Sequence, residues 1–225
     1  MTVFVTGTDT GCGKTYISGL LIRAAIFSGY SACGMKPVAT GSLQGENEDV
    51  AKLLEASSVE MPLKDRVVYS FAPPCSPHIA SSQAGKIISF PKIEEAYRRC
   101  ASEAEVVVVE GVGGWKVPLG QGLFIEDLAL FLKLPVVLVV GIKLGCINHA
   151  ILAAQSIVNS GVPFAGWVAN QTALDLYAAD DVVSFLGESI EAPLLFRTKW
   201  GVPLEQSYAK ASFCIENLYR GITTL

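Results

Sequence analysis

The residues most suggestive of chemistry form a glycine-rich loop that ends in Gly13-Lys14-Thr15. This ending is typical of a loop whose backbone N–H groups cradle phosphates, with the lysine reaching the β and γ phosphates and the hydroxyl binding Mg²⁺. The usual loop has four residues between its two glycines, but here Thr8 occupies the expected first position and Gly7 lies one residue too early. Because an apolar strand precedes the loop and an amphipathic helix follows it, the context still predicts a phosphate site.

Two acidic residues are candidates for the Mg²⁺ that accompanies such phosphates, since Mg²⁺ prefers one or two carboxylates plus phosphate oxygens. Glu110 closes the apolar run VVVVE, where a metal or water-ordering role competes with a solvent-facing strand end. Asp49 lies in ENEDVAKLL at the start of a predicted helix. From position alone, Asp49 is better interpreted as a capping or first-turn carboxylate than as a metal ligand.

A lysine follows the second apolar strand. Lys36 stands on the carboxyl edge of the predicted sheet beside the phosphate loop, either as a ligand-binding cation or as an ordinary edge lysine. Thr40, Gly41 and Ser42 continue a small polar loop that suits close approach to a ligand.

Two further glycine-containing turns follow later strands. Gly113 and Gly114 allow the backbone to approach a small substrate, although a plain strand-to-loop transition would look the same. Gly145 precedes a helix whose free N–H groups at Cys146, Ile147 and Asn148 could hold a carboxylate. The two histidines, at positions 78 and 149, are not spaced as a metal pair and are interpreted as structural or hydrogen-bonding residues.

The elements that must position these residues alternate between strands and helices. Near-continuous apolar strands are typical of a sheet covered on both faces. The alternation of strands and helices predicts a single-domain α/β fold over residues 1–225, with a doubly wound, mainly parallel sheet of the P-loop type. The predicted strands are Thr2–Gly7, Ala32–Val38, Glu105–Gly111, Pro135–Gly141 and Phe164–Asn170. Beyond position 172 we expect a helix over 176–190, a short strand over 192–196, a loop over 197–206 and a closing helix over 209–219. Ligands collect beyond the carboxyl ends of such strands.

Composition narrows the class of protein. Of the 225 residues 51% are apolar and 17% are charged, so a sizeable core is expected and disorder is not. The formal charge of −4, without a basic run, argues against nucleic acid as a partner. We expect no membrane span and no secretory signal, and we therefore expect six reduced cysteines in a cytoplasmic protein.

Six segments, in order from Thr2 to Asn170, make the sequence resemble the dethiobiotin synthetase family: VTGTDTGCGKT, KPVATGS, SPHIASSQAG, VEGVGGWKVPL, VVGIKLGCINHA and GWVAN. The loop of that family has five residues between its glycines, which matches the spacing here. The resemblance implies an ATP-dependent ligase of biotin biosynthesis that joins CO₂ to 7,8-diaminopelargonate. Ring closure to dethiobiotin would proceed through a carbamate and a carbamic–phosphoric mixed anhydride, with release of ADP and phosphate.

The resemblance also implies roles for individual residues. Lys14, Lys36 and Thr10 would be catalytic, and Thr15, Asp49 and Glu110 would hold Mg²⁺. The diamine substrate would contact Lys36, Thr40, Gly114, Cys146, Ile147 and Asn148, the last three from the partner of a homodimer, where a helix N-terminus binds the substrate carboxylate. The nucleotide would contact Gly11, Cys12, Gly13, Lys14, Thr15, Tyr16, Asp49, Glu110, Gly111, Val112, Gly113, Asn170, Gln171, Lys199, Trp200, Gly201 and Gln206. Asn170 would recognise adenine.

Two departures from the family pattern leave questions open. Gly11 stands where relatives often carry an acid, and the loop LLFRTKWGVPLEQ lacks the usual Gly-x-x-Pro pattern, which bears on ATP preference. Two other P-loop classes remain as alternatives. Amidoligases normally carry a glutaminase domain for which 225 residues leave no room, and partition-type ATPases carry a second lysine where Asp9 stands here.

Overall fold

The computed structural model describes residues 1–42, 46–174, 177–202 and 211. Its strands are β1 (Thr2–Gly7), β2 (Ala32–Met35), β3 (Val38–Thr40), β4 (Tyr69–Phe71), β5 (Val106–Glu110), β6 (Pro118–Gly120), β7 (Leu123–Phe124), β8 (Val136–Ile142), β9 (Phe164–Gln171) and β10 (Leu194–Thr198). Its helices are α1 (Lys14–Phe27), α2 (Glu48–Ala56), α3 (Leu63–Arg66), α4 (Pro77–Gln83), α5 (Phe90–Glu103), α6 (Ile125–Leu132), α7 (Cys146–Ser160) and α8 (Ala179–Ser189).

Within the part of the chain that the structure describes, the central sheet has six strands in the order β10-β9-β8-β1-β5-β2, and each neighbouring pair is parallel. From β1 the chain winds to one side for β2 and β5 and to the other side for β8, β9 and β10. The loop after β1 therefore lies at the switch point, where ligands bind in such sheets. The predicted α/β class with a mainly parallel sheet is confirmed.

The strands are apolar throughout because both faces of the sheet are covered. Val3 and Val5 of β1 face the layer that contains α1, whereas Phe4 between them faces the larger cluster on the opposite side. Alternate residues of a strand point to opposite faces, so a strand buried on both sides needs no polar alternation. Within the described residues, no helix is both long enough and apolar enough to cross a membrane.

The second predicted strand, Ala32–Val38, was too long, because β2 ends at Met35 and Val38 begins β3 in a separate two-stranded sheet with β4. The chain leaves the central sheet at Lys36 and Pro37. Pro37 has no N–H to donate to a ladder, and its carbonyl accepts from Val68 and Tyr69 of the neighbouring segment. Lys36 therefore lies just beyond the carboxyl end of β2.

The carboxyl-terminal predictions were partly wrong. The helix expected over 176–190 begins only at Ala179, after Ala178 at a φ of 56°. The strand expected over 192–196 is β10, and it continues to Thr198 because Arg197 and Thr198 pair with Ala169 and Asn170 of β9. The predicted loop thus starts two residues later than expected, and the closing helix predicted over 209–219 lies outside the described residues except at position 211.

Candidate functional site

The phosphate loop spans residues 8–13, between β1 and α1. Gly13 occupies the N-cap of α1 at a φ of 90°, and no side chain caps the helix. The first-turn N–H groups are therefore available to an anion at the positive end of the helix. Lys14 is buried, and its Nζ donates to the carbonyl of Asp9 at 2.9 Å, which folds the lysine back over the loop.

Close packing explains why glycines flank this loop. A Cβ on Gly13 would lie 2.0 Å from Asn170 Nδ2, and one on Gly7 would lie 2.4 Å from Cys12 Sγ. A third glycine, Gly141 at the end of β8, allows the backbone of Cys12 to approach, since a Cβ there would lie 2.9 Å from the Cys12 Cα. Sequence reasoning missed Gly141, although its place at the end of a buried strand was a usable signal.

Lys36, Asp49 and Glu110 form a charged cluster at the carboxyl edge of the sheet. The Lys36 ammonium donates to Glu110 Oε1 at 2.8 Å and also to Asp49 Oδ2. Thr15 Oγ1 donates to the same Glu110 oxygen at 2.8 Å, which links the phosphate loop to the cluster. Lys36 is 4% exposed and Glu110 is 0% exposed, so the edge-lysine and solvent-facing interpretations of these two residues are wrong.

The electrostatics of the cluster favour charged forms. Burial by itself lowers the pKa of Lys36, but attraction to Glu110 and Asp49 outweighs burial and raises the pKa above its ordinary value. Burial likewise raises the pKa of Asp49, but the neighbouring Lys36 ammonium outweighs it and lowers the pKa below its ordinary value. Lys36 therefore remains a cation, and Asp49 an anion, across the neutral pH range.

At the start of α2, one residue caps the helix and a different residue contributes the negative charge. Asn47 is its N-cap, and the Asn47 side chain accepts from the Val50 N–H at 3.2 Å. Asp49 lies in the first turn, as the sequence indicated, but its carboxylate turns toward Lys36 and Thr15. The helix-start interpretation of Asp49 was thus correct about its position and incomplete about its contacts.

A cavity of about 850 Å³ opens beside this cluster. Among the predicted site residues, its walls include Thr10, Gly11, Gly13, Lys14, Thr15, Tyr16, Lys36, Thr40, Asp49, Val112 and Gly113. Glu110 is buried in contact with two of these residues, Lys36 and Thr15. Gly114 lies close to the phosphate loop, because a Cβ there would lie 3.4 Å from the carbonyl oxygen of Gly7.

The donor set fits Mg²⁺. Glu110 Oε2 is fully buried and has no hydrogen-bond partner among the described residues, whereas its other oxygen is shared by Thr15 and Lys36. A buried carboxylate oxygen without a partner is costly unless a ligand satisfies it. Two carboxylates and a hydroxyl beside a phosphate loop are the ligands that Mg²⁺ uses in nucleotide sites.

Other predicted residues lie outside the walls of this cavity. Cys146, Ile147 and Asn148 begin α7, after Gly145 at a φ of 86°, and no side chain caps that helix. The Cys146 N–H is not free as predicted, because it donates to the carbonyl of Lys143 at 3.0 Å. Lys199 and Trp200 are exposed residues just beyond β10, next to Gly201, and Gln171 donates to the carbonyl of Ala173 at 3.0 Å. Gln206 lies outside the described residues. Contacts of Gln171, Lys199, Trp200, Gly201 and Gln206 with the nucleotide stay a prediction.

Gly11 lies at the mouth of the cavity at a φ of 81°, and a Cβ added to it would have nothing within 4 Å. A side chain would meet no obstacle there, but a positive φ is unfavourable for residues other than glycine. Glycine at position 11 therefore avoids backbone strain that a side chain would bring.

An ion pair that sequence reasoning did not anticipate borders the loop. Lys143, just after β8, donates to Asp9 Oδ2 at 2.8 Å. This hydrogen bond is the main reason that the pKa of Asp9 lies below its ordinary value. Of the histidines, His78 pairs with Ser76 Oγ at 2.9 Å, as a hydrogen-bonding residue should, and His149 is exposed on α7.

The parallel sheet and the phosphate loop at its switch point define a P-loop nucleotide-binding protein. A family model described as an AAA domain matches residues 1–198. Similar solved structures include the septum site-determining protein MinD complexed with Mg-ADP from Pyrococcus horikoshii OT3, at 14% identity and a TM-score of 0.55 over 99% of this chain and 96% of that chain. A ParA family ATPase from Chlorobium tepidum TLS is 12% identical, with a TM-score of 0.54 over 95% of this chain and 91% of that chain. At such identities the likeness concerns the fold alone.

Sequence relatives identify the family within the P-loop class. The ATP-dependent dethiobiotin synthetase BioD of Ralstonia nicotianae is 44% identical over 196 residues, which cover 85% of this chain and 86% of the relative. The protein of the same name from Aromatoleum aromaticum is 45% identical over 85% of this chain and 87% of the relative. This chain therefore belongs to the ATP-dependent dethiobiotin synthetase family.

Proposed function

We propose that this chain catalyses the ATP-dependent closure of the cyclic urea of dethiobiotin from 7,8-diaminopelargonate and CO₂, with ADP and phosphate as the other products. The observation that carries the proposal is the buried Lys36 between Asp49 and Glu110, on the wall of a cavity that also contains Lys14 of the phosphate loop. We propose that all 225 residues act as one domain.

The reaction needs positive charge at two places. A substrate amine captures CO₂ as a carbamate, the carbamate oxygen takes the γ-phosphoryl group from ATP, and the second amine then displaces phosphate to close the ring. The carbamate, the mixed anhydride and the released phosphate all carry negative charge, and phosphoryl transfer depends mostly on positioning and on stabilising that charge. Lys14 and Lys36 supply the two cations, and neither has to act as a nucleophile.

Polar groups around the cavity orient the carbamate. Thr10 and Thr40 both line the cavity, on the phosphate-loop side and on the β3 side respectively, and each hydroxyl can donate a hydrogen bond. Gly113 and Gly114 keep the backbone after β5 close to the phosphate loop. The nucleotide phosphates are held by the N–H groups of 11–15 at the start of α1.

Thr15, Asp49 and Glu110 would hold Mg²⁺ in this site. When bound, the ion neutralises charge on the β and γ phosphates during transfer. The unpartnered Glu110 oxygen and the Thr15–Glu110 hydrogen bond support this assignment.

A homodimer would complete the substrate site. No side chain caps the α7 N-terminus, and Leu144, which precedes the N-cap Gly145, is 94% exposed, while Leu152 on α7 is 58% exposed. Contact with a second copy would cover these apolar side chains and bring the start of α7, with the N–H groups of Ile147 and Asn148, to the carboxylate of a diamine bound by the first copy. A reducing cytoplasm suits the five described cysteines, which are all free thiols.

The test is a reconstituted reaction with purified protein, ATP, Mg²⁺, bicarbonate and 7,8-diaminopelargonate. We expect dethiobiotin to form and phosphate release to require the diamine. Parallel reactions with CTP and GTP in place of ATP measure the nucleotide preference. Phosphate release that proceeds equally without the diamine would contradict the proposed activity.

A further inference from the structure

A hydrogen-bonded carboxamide joins the phosphate loop to the far side of the sheet. Asn170, near the end of β9, donates from Nδ2 to the carbonyl of Cys12 at 2.8 Å. Its Oδ1 accepts from Thr198 Oγ1, at the end of β10, at 2.6 Å. Asn170 is 6% exposed and Thr198 is 2% exposed, so little water competes with either hydrogen bond.

The partners determine which way the carboxamide points. A carbonyl oxygen can only accept, so the amide atom that faces Cys12 must be the nitrogen. The oxygen therefore faces Thr198, whose hydroxyl has to donate. The amide also lies against the phosphate loop, since Asn170 Nδ2 fills the space that a Cβ on Gly13 would occupy.

Two hydrogen-bonding positions on the amide remain after these contacts are counted. An Asn carboxamide has two N–H donors and two acceptor lone pairs, and Cys12 and Thr198 each use one. One donor and one acceptor are left. That pair complements an adenine edge, which places an amino donor beside a ring-nitrogen acceptor, whereas the corresponding guanine edge places two acceptors together.

From this arrangement we propose that Thr198 is a positioning residue that fixes the Asn170 carboxamide, so that the amide braces the phosphate loop and offers an adenine base one donor and one acceptor. The proposal rests on the nucleotide site of the proposed function and assigns a role to a residue outside that site.

Loss of the Thr198 hydroxyl leaves a buried Asn170 oxygen without its donor. The amide then keeps only the hydrogen bond from Nδ2 to Cys12, and no partner fixes the orientation of its oxygen. A site built to pair with a particular base edge discriminates poorly once its groups can rotate. The consequence should appear in nucleotide affinity and in base preference, not in the rate of phosphoryl transfer at saturation.

The decisive comparison uses two substitutions at one position. Thr198→Val keeps the shape and removes the hydroxyl, whereas Thr198→Ser keeps the hydroxyl and removes the methyl group. We expect the valine variant to raise the KM for ATP about tenfold, as expected for one lost hydrogen bond in a buried site, and to reduce the ATP-over-GTP ratio of kcat/KM by a similar factor. Its kcat should change less than its KM, and the serine variant should restore both values to within about twofold of the wild type.

Thr6→Val is the matched control. Thr6 is a buried threonine of β1 whose hydroxyl has no hydrogen-bond partner among the described residues. The control therefore removes a buried hydroxyl from the same sheet without touching Asn170. An unchanged base preference in Thr198→Val, or an equal change in Thr6→Val, would overturn the role of Thr198. Thr198→Ala removes the same hydroxyl without adding bulk and gives the same readout if the valine variant does not fold.

Direct binding separates this proposal from the proposed activity. Calorimetric titration of wild type and variants with ADP and with GDP needs no diamine and no turnover. If the wild type makes no dethiobiotin, the proposed activity fails, yet a weaker preference for ADP over GDP in Thr198→Val alone would still support the positioning role. Equal preferences in wild type, Thr198→Val and Thr198→Ser would contradict it.

Discussion

Lys36 holds its charge because two carboxylates compensate for its burial. A buried ammonium on its own would lose its proton or destabilise the fold. Here Glu110 at 2.8 Å and Asp49 keep the pKa of Lys36 raised, so the cation is present before any substrate arrives. A charge that is already in place costs no reorganisation during the reaction, which is the advantage of a preorganised site.

Replacing Lys36 with Ala should reduce turnover by at least about two orders of magnitude, as is observed when one preorganised charge-stabilising group is lost. Steady-state dethiobiotin formation measures the effect. Lys92→Ala, on the exposed face of α5, is the control for loss of a lysine elsewhere. Near-normal turnover in Lys36→Ala would remove Lys36 from the reacting site.

Asp49 and Glu48 are neighbours in α2 that differ in surroundings. Asp49→Asn should shift the Mg²⁺ dependence of activity to higher concentration, because a neutral amide is a weaker Mg²⁺ ligand than a carboxylate. Glu48 instead pairs with Lys52 on the surface, so Glu48→Gln should leave the Mg²⁺ titration where it is. Identical titrations for wild type and Asp49→Asn would return Asp49 to a structural role at the helix start.

At the scale of elements, the site depends on how closely α1 and α2 pack on β2. Gly34 in β2 makes this possible, since a Cβ there would lie 2.7 Å from Ile22 Cδ1 of α1 and 3.1 Å from Leu53 Cβ of α2. Both neighbours are buried and have little room to move. The same two helices carry Thr15 and Asp49, so their packing also sets the geometry of the charged cluster.

Gly34→Ala should therefore reduce the free energy of unfolding by about 1–3 kcal/mol, the usual cost of overpacking a core. Gly187 offers the opposite case, because it lies on the exposed face of α8 with nothing within 4 Å of an added Cβ. Gly187→Ala should raise the free energy of unfolding by about 0.5–1 kcal/mol through helix propensity. Urea denaturation of both variants checks the signs, and a Gly34→Ala protein as stable as the wild type would refute the close packing.

At the scale of the whole molecule, the groups proposed for the diamine lie in two places. Lys36 and Thr40 border the cavity, whereas the start of α7 does not, although α7 follows β8 at the same carboxyl edge of the sheet. A two-fold symmetric dimer contributes the same surface from each copy and can place one copy's helix end at the other copy's cavity. The proposed site is then shared, and each protomer alone is incomplete.

Mixing two inactive variants tests the shared site. Asn148→Glu places a carboxylate in the first turn of α7, which suits the helix dipole but repels a substrate carboxylate. Lys36→Ala disables the other half of the site. If the site is shared, refolding an equal mixture should restore about a quarter of wild-type activity, since half of the dimers would be heterodimers with one intact site each. No recovery in a mixture that forms dimers would place the whole site within one copy.

Much of the site was predictable because its residues follow strands. Lys36 and Glu110 stand at or just beyond the carboxyl ends of parallel strands, and Lys14 follows the loop that leaves a third strand. Such strand ends meet at one edge of the sheet. Asp49 was harder, since a carboxylate at a helix start has an ordinary local explanation. Only the fold shows that α2 packs beside β2 and turns this carboxylate toward Lys36.

The sequence by itself determined the class of fold, the phosphate loop and the family, because these depend on local patterns of apolar residues, glycines and short motifs. The tertiary structure decided which side chains meet across long separations in the chain. Thr198 and Asn170 form one hydrogen bond across 28 residues, and Thr15 and Glu110 form another across 95. Such contacts are set by strand order and register in the sheet, and no spacing along the chain encodes them.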